Sequence, residues 1–414
     1  MEETFESEEK AVMLKSNPTI QGIDDKSFIV SSYNKIADGI APKFSFTFPL
    51  RFTFNLQNNF FDTNWLNKYF GADMIQNPSI KNDLINSIPS SGISNVLWFN
   101  SGFFDMTYKN YGLSLLNLNI FSNVNIPKEL TQILFKGISF NEPQNISSFD
   151  SRGFIYNETK FSFGRKLDFK QLESPIYVGF GFKYLNGLFS YTDKYDGMIT
   201  TKEDSVSIFS DLEVVYTDLN QIASGFGIDL GLYGQINEKI SAQLSIMNLG
   251  SFLKSQQGTN WKSINRINLS SSEVSNILDY NDAQKDSISN TFSILDTTTY
   301  VENILIKLPV RLNIAANYNY SDDLHIKSAV QYIAQTGFVG EIAPQISLGV
   351  VVFPRKSFSM LGGVSLGGIN KINIGSGFDL KIKNFCFHLA GSQSGGLFNS
   401  ARGINVSSEF RFLF

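Results

Sequence analysis

Phe44-Ser45-Phe46-Thr47-Phe48-Pro49-Leu50-Arg51-Phe52-Thr53-Phe54-Asn55-Leu56 puts an apolar side chain at every even position and a polar one or proline at every odd position. An alternation of two is the period of a β-strand with one apolar face. The same pattern runs from Ile304 to Tyr320, with Ile304, Ile306, Leu308, Val310, Leu312 and Ile314 on one side and Lys307, Arg311, Asn313, Asn317 and Asn319 on the other. It returns at the end, where Ile404, Val406, Phe410, Phe412 and Phe414 alternate with Asn405, Ser407, Glu409 and Arg411. Further clear cases are 176–185, 225–233, 324–333 and 372–382.

Length separates the two settings in which such strands occur. Strands of soluble proteins have a mode near 5–6 residues, whereas a strand crossing a bilayer needs about 9–11. These seven segments reach or exceed that length. Their charges, Arg51, Lys183, Asp229, Lys307, Arg311, Lys327, Asp379, Lys381, Glu409 and Arg411, all fall on the polar file. Lipid imposes such an exclusion, because an Arg on the lipid face at midplane costs roughly 2–4 kcal/mol. The expectation is an all-β chain, a transmembrane antiparallel β-barrel whose polar file, with those ten residues, lines the lumen.

Composition agrees. Of 414 residues, 38 are Phe and 14% are aromatic, while charged residues make up 17%, against about 25% in soluble domains. A chain this apolar is not a disordered one, and with no run of 18 apolar residues its helices cannot span a bilayer. A net charge of −4 offers no field for nucleic acid. The single Cys386 and the two histidines, His325 and His388, leave no disulfide and no zinc cluster. The acidic start, Met1 to Glu9, is the reverse of a secretory signal, so for an exported chain either the numbering begins after cleavage of a signal peptide or Met1 was added.

Short turns are expected at 237–239, 321–323, 354–357 and 383–384, and long connections at about 57–95, 123–152, 251–302 and 334–343. Their alternation is that of an outer-membrane barrel with short periplasmic turns and long outer loops. Counting back from the C-terminus gives 14 strands if 187–217 extends two of them outward, the preferred reading, and 16 if that stretch itself crosses. Both counts are even and place both termini in the periplasm of a Gram-negative cell. Residues 1–40 lack a strand pattern and are expected to form a hatch inside a barrel of residues 41–414. Pro127, favoured at a first helical position, predicts a short helix to Lys136 in one outer loop.

Three stretches resemble a known group. Tyr177-Val178-Gly179-Phe180-Gly181-Phe182-Lys183-Tyr184-Leu185-Asn186-Gly187 is similar to the lysine–tyrosine–leucine strand of FadL-like and PorV-like outer-membrane barrels. Gly227 to Tyr233, followed by Ile246-Met247-Asn248-Leu249-Gly250, resembles the paired strands after it, and Ser16-Asn17-Pro18 resembles the start of that group's hatch, with Thr19 where a small residue is usual. Phe410, Phe412 and the terminal Phe414 are similar to the signal read by the barrel-assembly machinery. The resemblance implies a 14-stranded barrel with an N-terminal hatch. Its members include transporters of hydrophobic molecules and accessory barrels of type 9 secretion, and it does not choose between them.

Apparent chemical motifs give way to blander readings. Gly179-x-Gly181, Gly225-x-Gly227 and Gly375-x-Gly377 lie inside strands with no helix to receive a phosphate, so they read as small residues on a crowded wall. His325 and His388 follow short turns without an evident nucleophile, and Asp193-x-x-Asp196-Gly197 lacks the calcium-loop spacing. No cofactor, metal or enzymatic activity is expected. Pro49 and Pro309 share one pattern, Pro-x-Arg within a long strand. Proline deletes a ladder hydrogen bond, giving either a local bulge or a kinked wall that opens toward lipid. Two functions follow: passage of a hydrophobic or amphipathic molecule, or binding of a partner protein through long loops carrying Trp65, Leu66, Tyr69, Phe70 and Trp261.

Overall fold

Because side chains on a strand point alternately to its two faces, the apolar and polar files sort to opposite sides of one sheet. The computed structural model describes residues 44–414 apart from 48–50, 71–76, 109, 137–140, 169–173, 175, 218–221, 271–294, 334–343, 354–356 and 368–371. The expected hatch and Pro49 lie outside the described residues. The chain opens with β1 (Phe44–Thr47), β2 (Arg51–Asn58), helices α1 (Thr63–Tyr69) and α2 (Pro78–Ser87), β3 (Ile93–Tyr108) and β4 (Tyr111–Ile126). Then come α3 (Lys128–Lys136), β5 (Gln144–Leu167), β6 (Ile176–Thr201), β7 (Ser205–Thr217), β8 (Ala223–Gln235), β9 (Ile240–Leu249), β10 (Phe252–Ser270) and β11 (Leu295–Lys307). The remaining strands are β12 (Arg311–Ser321), β13 (Leu324–Ile333), β14 (Gln345–Val352), β15 (Phe358–Leu366), β16 (Ile372–Ile382), β17 (Phe385–Ser394) and β18 (Gly403–Leu413).

All pairings are antiparallel, and the sheet closes on itself where β18 pairs with β1 and β2. Across that seam Phe44 and Phe414 exchange backbone hydrogen bonds of 3.2 and 2.8 Å, and Phe46 stacks on Phe412 with centroids 5.0 Å apart. Two staves are interrupted among the described residues, between β9 and β10 and between β11 and β12. β1 and β2 both lie between β18 and β3; β7 and β8 both follow β6; β9 and β10 face β12 and β11 in turn. Among the described residues the sheet counts eighteen segments, where the sequence reading preferred fourteen strands and allowed sixteen.

The two faces are those of a soluble protein turned inside out. Phe180, Phe182 and Tyr184 on β6, Leu230 and Leu232 on β8, and Ile346, Leu348 and Val350 on β14 are exposed. Lys183, Asp229, Asn313, Ser347, Asn373, Ser407 and Glu409 are buried. An apolar belt outside and a polar wall inside are what lipid selects in a barrel. No helix among the described residues is long and apolar enough to cross a membrane.

At the end opposite the short turns the wall grows far past bilayer thickness. Residues 176–187 of β6 pair with β8, and residues 191–201 pair with β7, which in turn pairs with β10 and β10 with β11. The long connections expected at 123–152 and 251–302 are thus partly strand: β4 runs to Ile126, β5 begins at Gln144, and β10 and β11 cover 252–270 and 295–302. A bulge on β5 between Ile146 and Phe149, and one on β6 at Leu188 opposite Ile155 and Tyr156, shift the register of this pair.

The helices cap the same end. Asp62 accepts the Trp65 backbone N–H at 2.7 Å to start α1, as an N-cap should. Phe60, Tyr69, Leu84, Ile88 and Ile93 form a small core, with Trp65 and Ile80 packed on it. Trp65 and Tyr69 are therefore inside the cap, whereas Leu66, Phe70 and Trp261 are exposed. The predicted helix after Pro127 is α3, and Lys128 ties it to α2 by donating to the Ile88 carbonyl at 2.9 Å.

Candidate functional site on the inner wall

The densest polar cluster on the inner wall is built by β5, β6, β8 and β9. Register sets Lys160 directly opposite Lys183, a like-charge pair that is unfavourable alone. Two carboxylates offset it. Lys183 Nζ lies 2.8 Å from Asp229 Oδ1 and 3.6 Å from Glu158 Oε2, and Lys160 Nζ lies 3.4 Å from Asp229 Oδ2. Gly181, opposite Asp229 in the register, packs beside the Lys160 stem, where a Cβ would stand 3.5 Å from Lys160 Cδ, an ordinary contact. The four groups are buried, where each charge must be paired to be tolerated.

Asn248 completes the cluster. Its backbone N–H donates to Asp229 Oδ1 at 2.9 Å, its Oδ1 accepts from Lys183 Nζ at 2.8 Å, and its Nδ2 donates to the Pro309 carbonyl at 3.0 Å. It does so from φ 59°, in the left-handed region that Asn tolerates better than most residues. Beside it β9 stops and β10 begins, and on the neighbouring stave Leu308 N donates to Ser251 O at 3.0 Å. Two adjacent staves are broken at one level and held by one side chain.

Above this network the wall turns apolar. Val96, Phe121, Phe154, Tyr156, Leu185, Ala223, Leu253 and Leu308 form one buried cluster with Trp98 and Ile306 against it. Phe121 stacks on Phe154 at 5.0 Å, and the Arg311 guanidinium lies 4.2 Å over the Trp98 ring. Gly225 permits the close approach of β10, since a Cβ there would meet the Phe252 carbonyl oxygen at 1.6 Å. Next to the cluster, Arg152, Phe154, Tyr191, Leu305, Ile306 and Lys307 line a cavity of about 240 Å³.

The other expected wall residues fall as follows. Arg51 bridges to Asp105 at 2.9 Å and donates to Asn117 at 3.2 Å. Arg411 pairs with Glu409, which also accepts from Thr47 at 3.4 Å. Lys327 and Lys381 are half-buried on β13 and β16. Lys307 departs from the expectation: it is exposed while Ile306 and Leu308 face the buried cluster. The break at Pro309 shifts the alternation by one, so the file continuous in sequence changes faces between β11 and β12. Asp379 binds His388 Nδ1 and accepts from Ser359 at 3.2 Å. The serine thus hydrogen-bonds the carboxylate rather than the imidazole, the wrong order for a nucleophile and its base. Among the described residues no three His, Cys, Asp or Glu side chains come together as a metal site.

Glu158, Lys160 and Asn248 were not singled out in the sequence. The first two lie on the bulged β5, and nothing local marks an asparagine as a junction.

The sequence pattern of a family described as "Family of unknown function (DUF5723)" matches residues 39–391. No curated protein matches. Among solved structures, the toluene transporter TodX of P. putida shares 9% identity over 97% of this chain and 99% of that one, with a TM-score of 0.47. The CymD monoaromatic hydrocarbon channel shares 9% over 93% and 91%, with a TM-score of 0.45. A FadL homologue of Pseudomonas aeruginosa shares 8% over 94% and 92%, with a TM-score of 0.40. None of these likenesses transfers a ligand to this chain.

Proposed function

The chain belongs to DUF5723, a family of unknown function, and on that premise we propose that it is a FadL-like outer-membrane barrel passing small hydrophobic or amphipathic molecules. One observation carries the reading: a buried aromatic and aliphatic cluster (Phe121, Phe154, Tyr156, Leu185, Leu308) packs among the inward-facing side chains beside a cavity lined in part by Phe154, Leu305 and Ile306, where a water-filled pore would be polar. Apolar walls with a few placed polar groups suit such a ligand. The route runs from the loop end, through the cavity beside that cluster, to the strand break at Pro309, with Lys183, Asp229 and Asn248 as its polar floor. Arg51, Arg311, Lys327, Asp379, Lys381, Glu409 and Arg411 line the remaining wall. The short-turn end faces the periplasm, and Phe410, Phe412 and Phe414 serve the barrel-assembly machinery.

The test is entry of naphthalene into cells bearing the barrel in a lipopolysaccharide-faced outer membrane, which slows apolar solutes. Thr192→Trp narrows the cavity and should cut entry several-fold while the barrel keeps its heat-modifiable gel mobility. Entry no faster than in barrel-free cells, or entry indifferent to Thr192→Trp in a folded barrel, would sink the proposal.

A further inference from the structure

Beyond the passage reading, the loop from β17 to β18 displays two apolar side chains on a fixed frame. Phe398 is 79% exposed and Leu397 45%, at the start of a single 3-10 turn over Phe398–Ser400. The backbone around them is tied down. Gly395 N donates to Ile372 O and Arg402 N to Ser394 O, each at 2.8 Å, and Ser400 Oγ accepts from Leu397 N at 3.0 Å. Gly395 turns the chain at φ 76°, which glycine adopts without strain. Phe398 itself stands at φ 51°, an outlier for a bulky residue that persists only where its surroundings impose it.

Register gives the direction in which the loop folds. Phe398 N–H donates to Gln393 Oε1 at 2.8 Å. Gln393 lies directly opposite Ile404, and Ile404 opposite Leu56, so the three side chains share one face of the sheet. That face is the lipid belt: Ile404 and Leu56 are exposed, and the file of Ile404 continues through Val406, Phe410 and Phe412. The loop therefore bends outward over the belt and away from the lumen. From Ile404 to Phe414 is about 33 Å along the strand, or about 25 Å upright at the usual tilt of a barrel, the height of the apolar band itself. Phe44 and Phe414 mark its short-turn margin, and Leu397 and Phe398 stand at the other.

We propose that Leu397 and Phe398 are an anchor seated among the acyl chains of the outer leaflet, at the level where they meet the head groups. The inference rests on the barrel spanning a membrane, and continuity with the belt selects lipid as the occupant. Arg402 carries the anchor's hold further. Its Nε lies 3.9 Å from Asp62 and its Nη1 donates to Asn59 O at 3.3 Å, which ties the loop to the segment entering α1. The anchor thereby fixes the helical cap relative to the membrane surface.

The experiment uses the whole chain refolded in phospholipid vesicles, with Cys386→Ser and a nitroxide attached to Phe398→Cys. Leu348→Cys on the belt and Glu238→Cys in a short turn serve as lipid and water references. Relaxation of the nitroxide by dissolved oxygen should exceed relaxation by a water-soluble nickel chelate several-fold at 398, as at 348, and the order should reverse at 238. Leu397→Cys, read in the same way, decides the matter if Phe398→Cys lacks the heat-modifiable mobility of a folded barrel. Leu397→Ser with Phe398→Ser should speed protease cleavage within 63–87 several-fold and leave naphthalene entry untouched, so anchoring and passage fail separately. Nickel-dominated relaxation, a label shielded from both reagents, spin–spin broadening from a second copy, or unchanged cleavage would overturn the proposal.

Discussion

Asn248 and Pro309, on neighbouring staves, are joined by a hydrogen bond of 3.0 Å from side-chain amide to backbone carbonyl, and the same asparagine receives the buried Lys183 ammonium. Removing the amide leaves two polar groups unserved. Asn248→Ala should cost about 1–3 kcal/mol, the usual price of a buried group left unsatisfied. Asn248→Gly keeps the positive φ without strain but loses the same hydrogen bonds, so it should unfold in urea nearly as early as the alanine variant. Full rescue by glycine would mean that backbone conformation, and not the bonds, is what Asn248 supplies.

Lys183→Met should be more damaging, about 3–5 kcal/mol, because it strands Glu158 and Asp229 with Lys160 alone. Adding Glu158→Gln should recover part of the loss, since the remaining Lys160–Asp229 pair is neutral. Denaturant midpoints of the three proteins in one detergent measure both steps, and no recovery would break the picture of a balanced network.

How much of this was legible beforehand differs by element. The outward Phe and Leu files were plain, because lipid enforces a strict period of two wherever the wall spans the membrane. In the sequence, residues 252–270 and 295–302 fall within a long connection because a strand standing clear of lipid has no face that must be apolar. The Pro309 break was visible but its effect was not: one extra step moved Lys307 to the opposite face. The Lys183–Asp229 pairing joins residues on neighbouring staves, and partners that distant leave no local pattern.

The outer belt gives a sign test. Leu348 is 52% exposed at the middle of β14, so Leu348→Arg should cost roughly 2–4 kcal/mol on refolding into lipid vesicles. The neighbouring Ser347→Ala, on the inner wall, should change vesicle refolding much less. Equal penalties would deny that 348 faces lipid.

The helical cap carries a pH window. Asp83 bonds the Lys68 ammonium and accepts from Tyr69 Oη at 2.7 Å. These bonds hold the Asp83 carboxyl below its ordinary range, while the Asp83 hydrogen bond raises Lys68, and burial followed by that bond raises Tyr69. A lowered carboxyl stabilises above its unfolded value, near 4, and loses that contribution as pH falls through the folded one. The raised groups stabilise below about 10 and lose it as pH rises through their folded values. Protease cleavage within 63–87 should therefore be slow between those limits and accelerate outside them. Asp83→Asn should remove the acid limb, and an unchanged acid limb would assign it elsewhere.

The seam between Phe44 and Phe414 bears on how the chain reaches its native state. The stave that completes the ring, β18, is the last of the staves in chain order, and its partners β1 and β2 are the first. Contacts this remote are slow to form, since loop entropy must be spent before they reward it. Until β18 arrives, the growing sheet has two raw margins and no inside, so neither a truncated chain nor half a wall is a smaller version of this protein.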